Sequence, residues 1–192
     1  MVVKLKKTEV FEINEAYQKV LFWFFSFPNK EFSLNDLANQ LKIAKSTARE
    51  VVKMLVGEDF LKIETVGRLW RISCNQEHIY NYSRKISYNL MMIYESGILQ
   101  EIRKHVPNPK AIILFGSYRK GDDIDKSDID IAVEIISNQP MQIKQIGVFP
   151  KFGHRENIQA NLHLFSRNHI DINVFSNIAN GIVLEGFLEV RP

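Results

Sequence analysis

Two apolar runs separated by a short polar loop constrain this chain more than any other feature. The first, Lys110-Ala-Ile-Ile-Leu-Phe, ends on Gly116-Ser117. The second opens on Asp128-Ile129-Asp130 and extends to Ile136. Short apolar runs bounded by turn residues predict buried strands. Strand residues two apart share a face, so Asp128 and Asp130 project together while Ile129 and Ile131 enter the core. Two adjacent carboxylates suit a divalent cation, since Mg²⁺ takes oxygen ligands and completes its shell with water and substrate phosphates. At Gly116-Ser117 the backbone can approach a phosphate closely, and the serine hydroxyl can donate to its oxygens. The competing reading is a surface loop in which Asp122, Asp123 and Asp125 are solvated and no metal binds.

The first part of the chain predicts a helical unit closed by a hairpin. Glu15 to Phe27 reads as a helix stopped by Pro28-Asn29. Ser33 heads a second helix with Asp36 three residues on, a capping-box variant, and Leu34, Leu37, Ala38 and Leu41 repeat at helical spacing. After Lys42-Ile43-Ala44 a third helix runs from Lys45 to Val56, burying Ala48, Val51, Val52, Leu55 and Val56. Phe60 to Val66 and Leu69 to Ser73 alternate as strands about a Gly67-Arg68 turn. The stretch from Phe32 to Ser73 resembles a winged helix-turn-helix domain. That resemblance implies a helix in the DNA major groove and a wing on the backbone. By position it nominates Lys45, Ser46, Thr47 and Arg49 on the helix, and Arg68 and Arg71 on the wing. Basic residues on a solvated helix face are also common in protein-interaction modules, so DNA and a partner protein both stand as partners here.

Charge adds little to that choice. Residues 1–76 hold twelve Lys and Arg against nine Asp and Glu, while the rest is balanced, so the net charge of +3 lies wholly in the first part. A single cysteine, Cys74, excludes an internal disulfide and a Cys-based metal cluster. Val20 to Phe27 is apolar but too short for a membrane span. Met1 to Lys7 lacks the apolar core and cleavage site of a signal peptide. A cytoplasmic protein is the simple expectation. Gln76 to His105 reads as a helical connector with Tyr80, Ile86, Leu90, Ile93, Leu99 and Ile102 as its apolar positions. Gly97 interrupts it, and Pro107 and Pro109 follow its end.

The segment "ILFGSYRKGDDIDKSDIDIAVEI" resembles the polymerase beta-type nucleotidyltransferase superfamily, closest to its minimal (MNT-like) members. An apolar strand, Gly-Ser, about ten residues and an Asp-x-Asp flanked by apolar residues are all present. The fold class expected is α+β, with a winged helix-turn-helix at 1–75, a connecting helix at 76–106, and a small mixed sheet flanked by helices at 107–192. The resemblance implies attack of an acceptor hydroxyl on the α-phosphate of a nucleoside triphosphate, with Asp128 and Asp130 as catalytic carboxylates holding Mg²⁺ (or Mn²⁺). It places Gly116, Ser117 and Arg119 on the phosphate side of the nucleotide.

The same resemblance implies a third carboxylate on a later strand, and two segments compete for that place. In Ile158 to Leu164 the polar positions are Gln159, Asn161 and His163, with no carboxylate. Ile170 to Phe175 offers Asp171, but Ile172, Phe175, Ile178, Ala179 and Ile182 also fit a helix with Asp171 in its first turn. The first segment is the favoured strand, which would leave Asn161 or His163 at the third position. The alternative function is accordingly a DNA-binding regulator, or an antitoxin-like protein, with an inactive transferase domain that still binds nucleotide. His154, His163 and His169 have no metal-ligand spacing. Trp23 and its neighbouring phenylalanines read as helix core or a homodimer surface.

Overall fold

The computed structural model describes residues 15–190; the reading of Met1 to Lys7 lies outside them. Three helices, α1 (Glu15–Ser26), α2 (Leu34–Leu41) and α3 (Lys45–Gly57), precede a hairpin of β1 (Leu61–Val66) and β2 (Leu69–Cys74). The α2 N-terminus is closed by the expected reciprocal pair: Asp36 N–H donates to Ser33 Oγ at 3.2 Å, and Ser33 N–H donates to Asp36 Oδ2 at 3.1 Å. Lys42 turns the chain in the left-handed region, φ 53°, and α3 starts three residues later. Phe32 pairs with Ile72 as a one-residue third strand of the hairpin. Val20, Phe24, Phe25, Leu37, Ala48, Val52, Leu55, Phe60 and Ile72 close over one another as a core. Trp23 and the nearby phenylalanines are part of it rather than an exposed surface.

A 3-10 turn (Ile79–Tyr82) leads into α4 (Arg84–Glu95) and α5 (Ile98–His105), separated at Gly97, whose φ of 77° no helix interior adopts. Then follow β3 (Ala111–Phe115), the short α6 (Gly116–Lys120), β4 (Ile129–Glu134), β5 (Gln142–Phe152), β6 (Arg155–Phe165), α7 (Ile172–Ala179) and β7 (Ile182–Gly186). The five strands form one mixed sheet in the order β5-β6-β4-β3-β7. β4 and β6 are parallel, and the other neighbours are antiparallel. β3 and β4 are central, which explains their nearly continuous apolar sequences, since both faces are covered.

One face of the sheet, carrying Ile112, Leu114, Ile129, Ile131, Val133, Ala160 and Leu162, packs with Ile93, Leu99 and Ile102 of α4 and α5. The other face, with Ala111, Ile113, Ala132 and Phe165, packs with Ile178 of α7. The architecture is thus α+β, with N-terminal helices followed by a mixed sheet flanked by helices. Among the described residues no helix is long and apolar enough to cross a membrane.

Candidate nucleotide site and the groove on the N-terminal unit

β3 ends at Phe115, opposite Asp130 of β4 in the antiparallel register. At Gly116 the chain leaves the strand with φ +71°, and a Cβ built there would stand 3.0 Å from Asp130 Oδ2. Glycine is needed twice over: for the left-handed backbone and for the close approach of the carboxylate. Ser117 lies in the first turn of α6, where amide groups have no acceptor within the helix. Arg119 lies half-buried on the same helix.

Asp128 is exposed just before β4, and Asp130 is half-buried within it, while Ile129 and Ile131 are buried. β6 runs parallel beside them, with Asn161 opposite Asp130 and His163 opposite Ala132. Asn161 Nδ2 donates to Asp128 Oδ2 and to Asp130 Oδ1, each at 3.4 Å. Its Oδ1 accepts from Gln159 Nε2 at 2.8 Å. His163 Nε2 lies 3.1 Å from Asp130 Oδ1, and its ring stands edge-on to Phe115 with centroids 4.8 Å apart. His163 is a hydrogen-bonded neighbour of the carboxylate pair, as the alternation of its strand suggests.

The two segments that competed for the later strand are thereby separated. Ile158 to Leu164 lies within β6, and Asp171 caps α7, its Oδ1 accepting from Asn173 N–H at 2.9 Å and Val174 N–H at 3.2 Å. Ile182 belongs to β7 rather than to the helix. The position facing the aspartate pair is therefore an amide. Among the described residues no three His, Cys, Asp or Glu side chains gather as a metal cage. Two carboxylates with an amide between them still fit a Mg²⁺-type ion, because such an ion uses one or two protein carboxylates and takes its remaining oxygens from phosphates and water.

The loop between the two halves of the motif corrects one reading. Asp122 is exposed and Asp125 is partly so, but Asp123 is completely buried. Its carboxylate pairs with Lys85 of α4 and with Arg155 at the start of β6, and it accepts from Asn89 Nδ2 at 2.7 Å. Lys85 and Arg155 are themselves only 1% and 3% exposed. Burial holds the Lys85 ammonium below its ordinary pKa, against the opposing pull of Asp123. Tyr118, on α6, is buried against the same group, and burial drives its hydroxyl well above the usual tyrosine range. Asn81 and Asn89 are further buried polar residues of this region that the sequence did not single out.

On the N-terminal unit, Lys45 and Arg49 of α3 share a small groove of about 60 Å³ with Arg68 of the hairpin turn. Arg49 lies over the Trp70 ring, 5.4 Å from its centroid. Ser46 is exposed and Thr47 partly so on the same helix. Arg71 differs from the other basic residues: it is engaged by Glu31 at 3.2 Å and Glu64 at 3.3 Å.

Residues 98–187, from the start of α5 to just beyond β7, match the family model for polymerase beta nucleotidyltransferase domains. The matched segment contains Gly116, Ser117, Asp128 and Asp130 together, and it supports a nucleotidyltransferase-type function. No curated protein matches the chain.

Proposed function

We propose that this protein moves a nucleoside monophosphate from a nucleoside triphosphate to an acceptor hydroxyl, at a metal site carried by Asp128 and Asp130. The observation that carries this reading is the close approach of Asp130 to Gly116, where a Cβ would stand 3.0 Å from the carboxylate, so that the glycine turn and the carboxylate pair lie side by side. In the reaction, the acceptor oxygen bonds to the α-phosphorus, the bond to the bridging oxygen breaks, and pyrophosphate leaves. The hydroxyl proton is released to solvent. Bound Mg²⁺ would supply charge neutralisation at the attacking and leaving oxygens. Asp128 and Asp130 would hold it, the Gly116-Ser117 turn and Arg119 would receive phosphate oxygens, and Asn161 would fix the two carboxylates relative to each other.

The test is titration with ATP and Mn²⁺ by calorimetry, followed by pyrophosphate release. Wild type is expected to bind, and Asp128→Ala and Asp130→Ala to lose binding by more than about tenfold, or 1.4 kcal/mol. Wild-type protein without any nucleotide heat, and unaffected by Asp128→Ala, would sink the reading.

Asn161 in the place facing the carboxylates favours a second reading, in which the domain binds nucleotide without turnover and the N-terminal unit acts on DNA. The groove shared by Lys45, Arg49 and Arg68 supports the DNA part, because a helix face and a hairpin tip offer cations to one backbone. Binding of nucleotide with no release of pyrophosphate, for any acceptor tried, favours this second reading over the first.

A further inference from the structure

Arg155 is placed where the two halves of the chain meet. Its guanidinium and Nε together carry five N–H donors, and every one has an acceptor. Nε donates to Ser26 O at 3.0 Å and Nη2 to Phe25 O at 3.0 Å. Both are carbonyls at the C-terminal end of α1, where helix carbonyls lack partners within the helix and favour a cation. The remaining donors turn the other way. Nη1 reaches Tyr118 Oη at 2.8 Å and Ile124 O at 3.1 Å, and Nη2 also reaches Asp123 Oδ2. These three acceptors all lie between Ser117 and Asp128, the stretch that sets the distance from the phosphate-side turn to the carboxylate pair.

Two further contacts hold the same stretch against the N-terminal part. Lys30, in the turn after α1, forms an ion pair with Asp125 at 2.7 Å. Gly121, φ +81°, is pressed so closely to the 3-10 turn that a Cβ would lie 1.9 Å from Asn81 O. A buried group of two cations and one carboxylate is a poor source of stability, because drying the charges offsets their attraction. What it supplies is one geometry, since every donor must keep its acceptor.

We propose that Arg155 is a positioning residue that makes the N-terminal unit part of the nucleotide site. It locks residues 118–124 against the end of α1, so that loosening this joint weakens nucleotide binding at Gly116 to Asp130. The inference rests on the reading of that site as a nucleotide site. It also means that a ligand that shifts α1 alters nucleotide affinity, and nucleotide alters the affinity for that ligand by the same factor.

The experiment compares the full-length wild type with Arg155→Lys, which keeps the charge and loses the fork, and with the charge-reversal variants Lys30→Glu and Lys30→Glu/Asp125→Lys. Amide hydrogen exchange and calorimetric titration with Mn²⁺ and ATP are read on each. Arg155→Lys is expected to speed exchange across 118–125 and to weaken ATP at least tenfold. Lys30→Glu is expected to weaken ATP about threefold, and the added Asp125→Lys to restore it. Should Arg155→Lys fail to fold, the Lys30–Asp125 pair and its rescue decide alone. Unchanged ATP affinity in Arg155→Lys, or in Lys30→Glu, overturns the proposal, whether or not exchange across 118–125 speeds up. A wild type that binds no nucleotide overturns instead the site reading on which it stands.

Discussion

Asn161 faces Asp130 across the parallel β4–β6 pair, and its amide nitrogen reaches both Asp130 and Asp128. An amide here neutralises nothing; it ties two carboxylates together through hydrogen bonds. Replacing it by a carboxylate turns a two-acid site into a three-acid one. Asn161→Asp is expected to tighten Mn²⁺ by about tenfold, near 1.4 kcal/mol. It should also lower the melting temperature in chelator, where three acids repel one another. Calorimetry with Mn²⁺ and thermal melts with and without chelator check both signs. Equal Mn²⁺ affinity in the two proteins would count against a metal at this pair.

Gly116 gives a prediction about backbone rather than charge. Alanine there must hold φ near +71° and place its Cβ 3.0 Å from Asp130 Oδ2. The strain is expected to cost about 1–3 kcal/mol of stability, measured by denaturant unfolding. ATP binding should fall further than stability does, because the carboxylate is the atom displaced.

His154 predicts a pH effect. Burial, and then the nearby Lys151, hold its pKa below the ordinary value, which is about 6.5. Its ring packs on Trp23 with centroids 5.2 Å apart. A depressed folded-state pKa means that the unfolded chain takes up the proton first as pH falls. Stability contributed by the neutral ring is therefore complete above about 6.5 and is lost as pH falls from there through the lower folded value. Melting temperatures near pH 7.5 and 5.5 should differ more in wild type than in His154→Gln.

The basic residues of the N-terminal unit should separate in a duplex-binding assay. Arg49→Ala and Arg68→Ala are expected to weaken binding and each reduce the salt slope by about one. Arg71→Ala should do less, since its guanidinium is already held by Glu31 and Glu64. Fluorescence anisotropy at about 50 and 200 mM salt reads the slopes. No binding at the lower salt would remove DNA as a partner of this face.

What the sequence made legible was local. The capping box at Ser33, the stripes of α2 and α3, and the two strands flanking Gly116-Ser117 and Asp128 follow from period and turn chemistry alone. β6 was readable because Gln159, Asn161 and His163 alternate with Ile158, Ala160 and Leu162. β5 was not: it is an edge strand, mostly exposed, with a register shift between Gln145 and Gly147 and a proline at 150, so its residues carry no strong alternation. α6 has five residues, fewer than two turns, and no periodic signal can emerge from it. Asp123 looked like one more loop acid because its neighbours in sequence are polar. Its burial depends on Lys85 and Arg155, which lie 38 and 32 residues away, and no window along the chain contains all three.

α4 places Tyr88 in the N-terminal core and Ile93 in the core of the mixed sheet. The two positions are less than two helical turns apart, so one rigid rod is shared by both halves. A hinge could absorb the exchange of one half for another; a shared rod cannot. Any sequence grafted in front of this sheet would have to bring its own helix end for Arg155 and its own packing for Tyr88. Exchanging one half alone therefore strips contacts from the other, through Tyr88 and through Arg155.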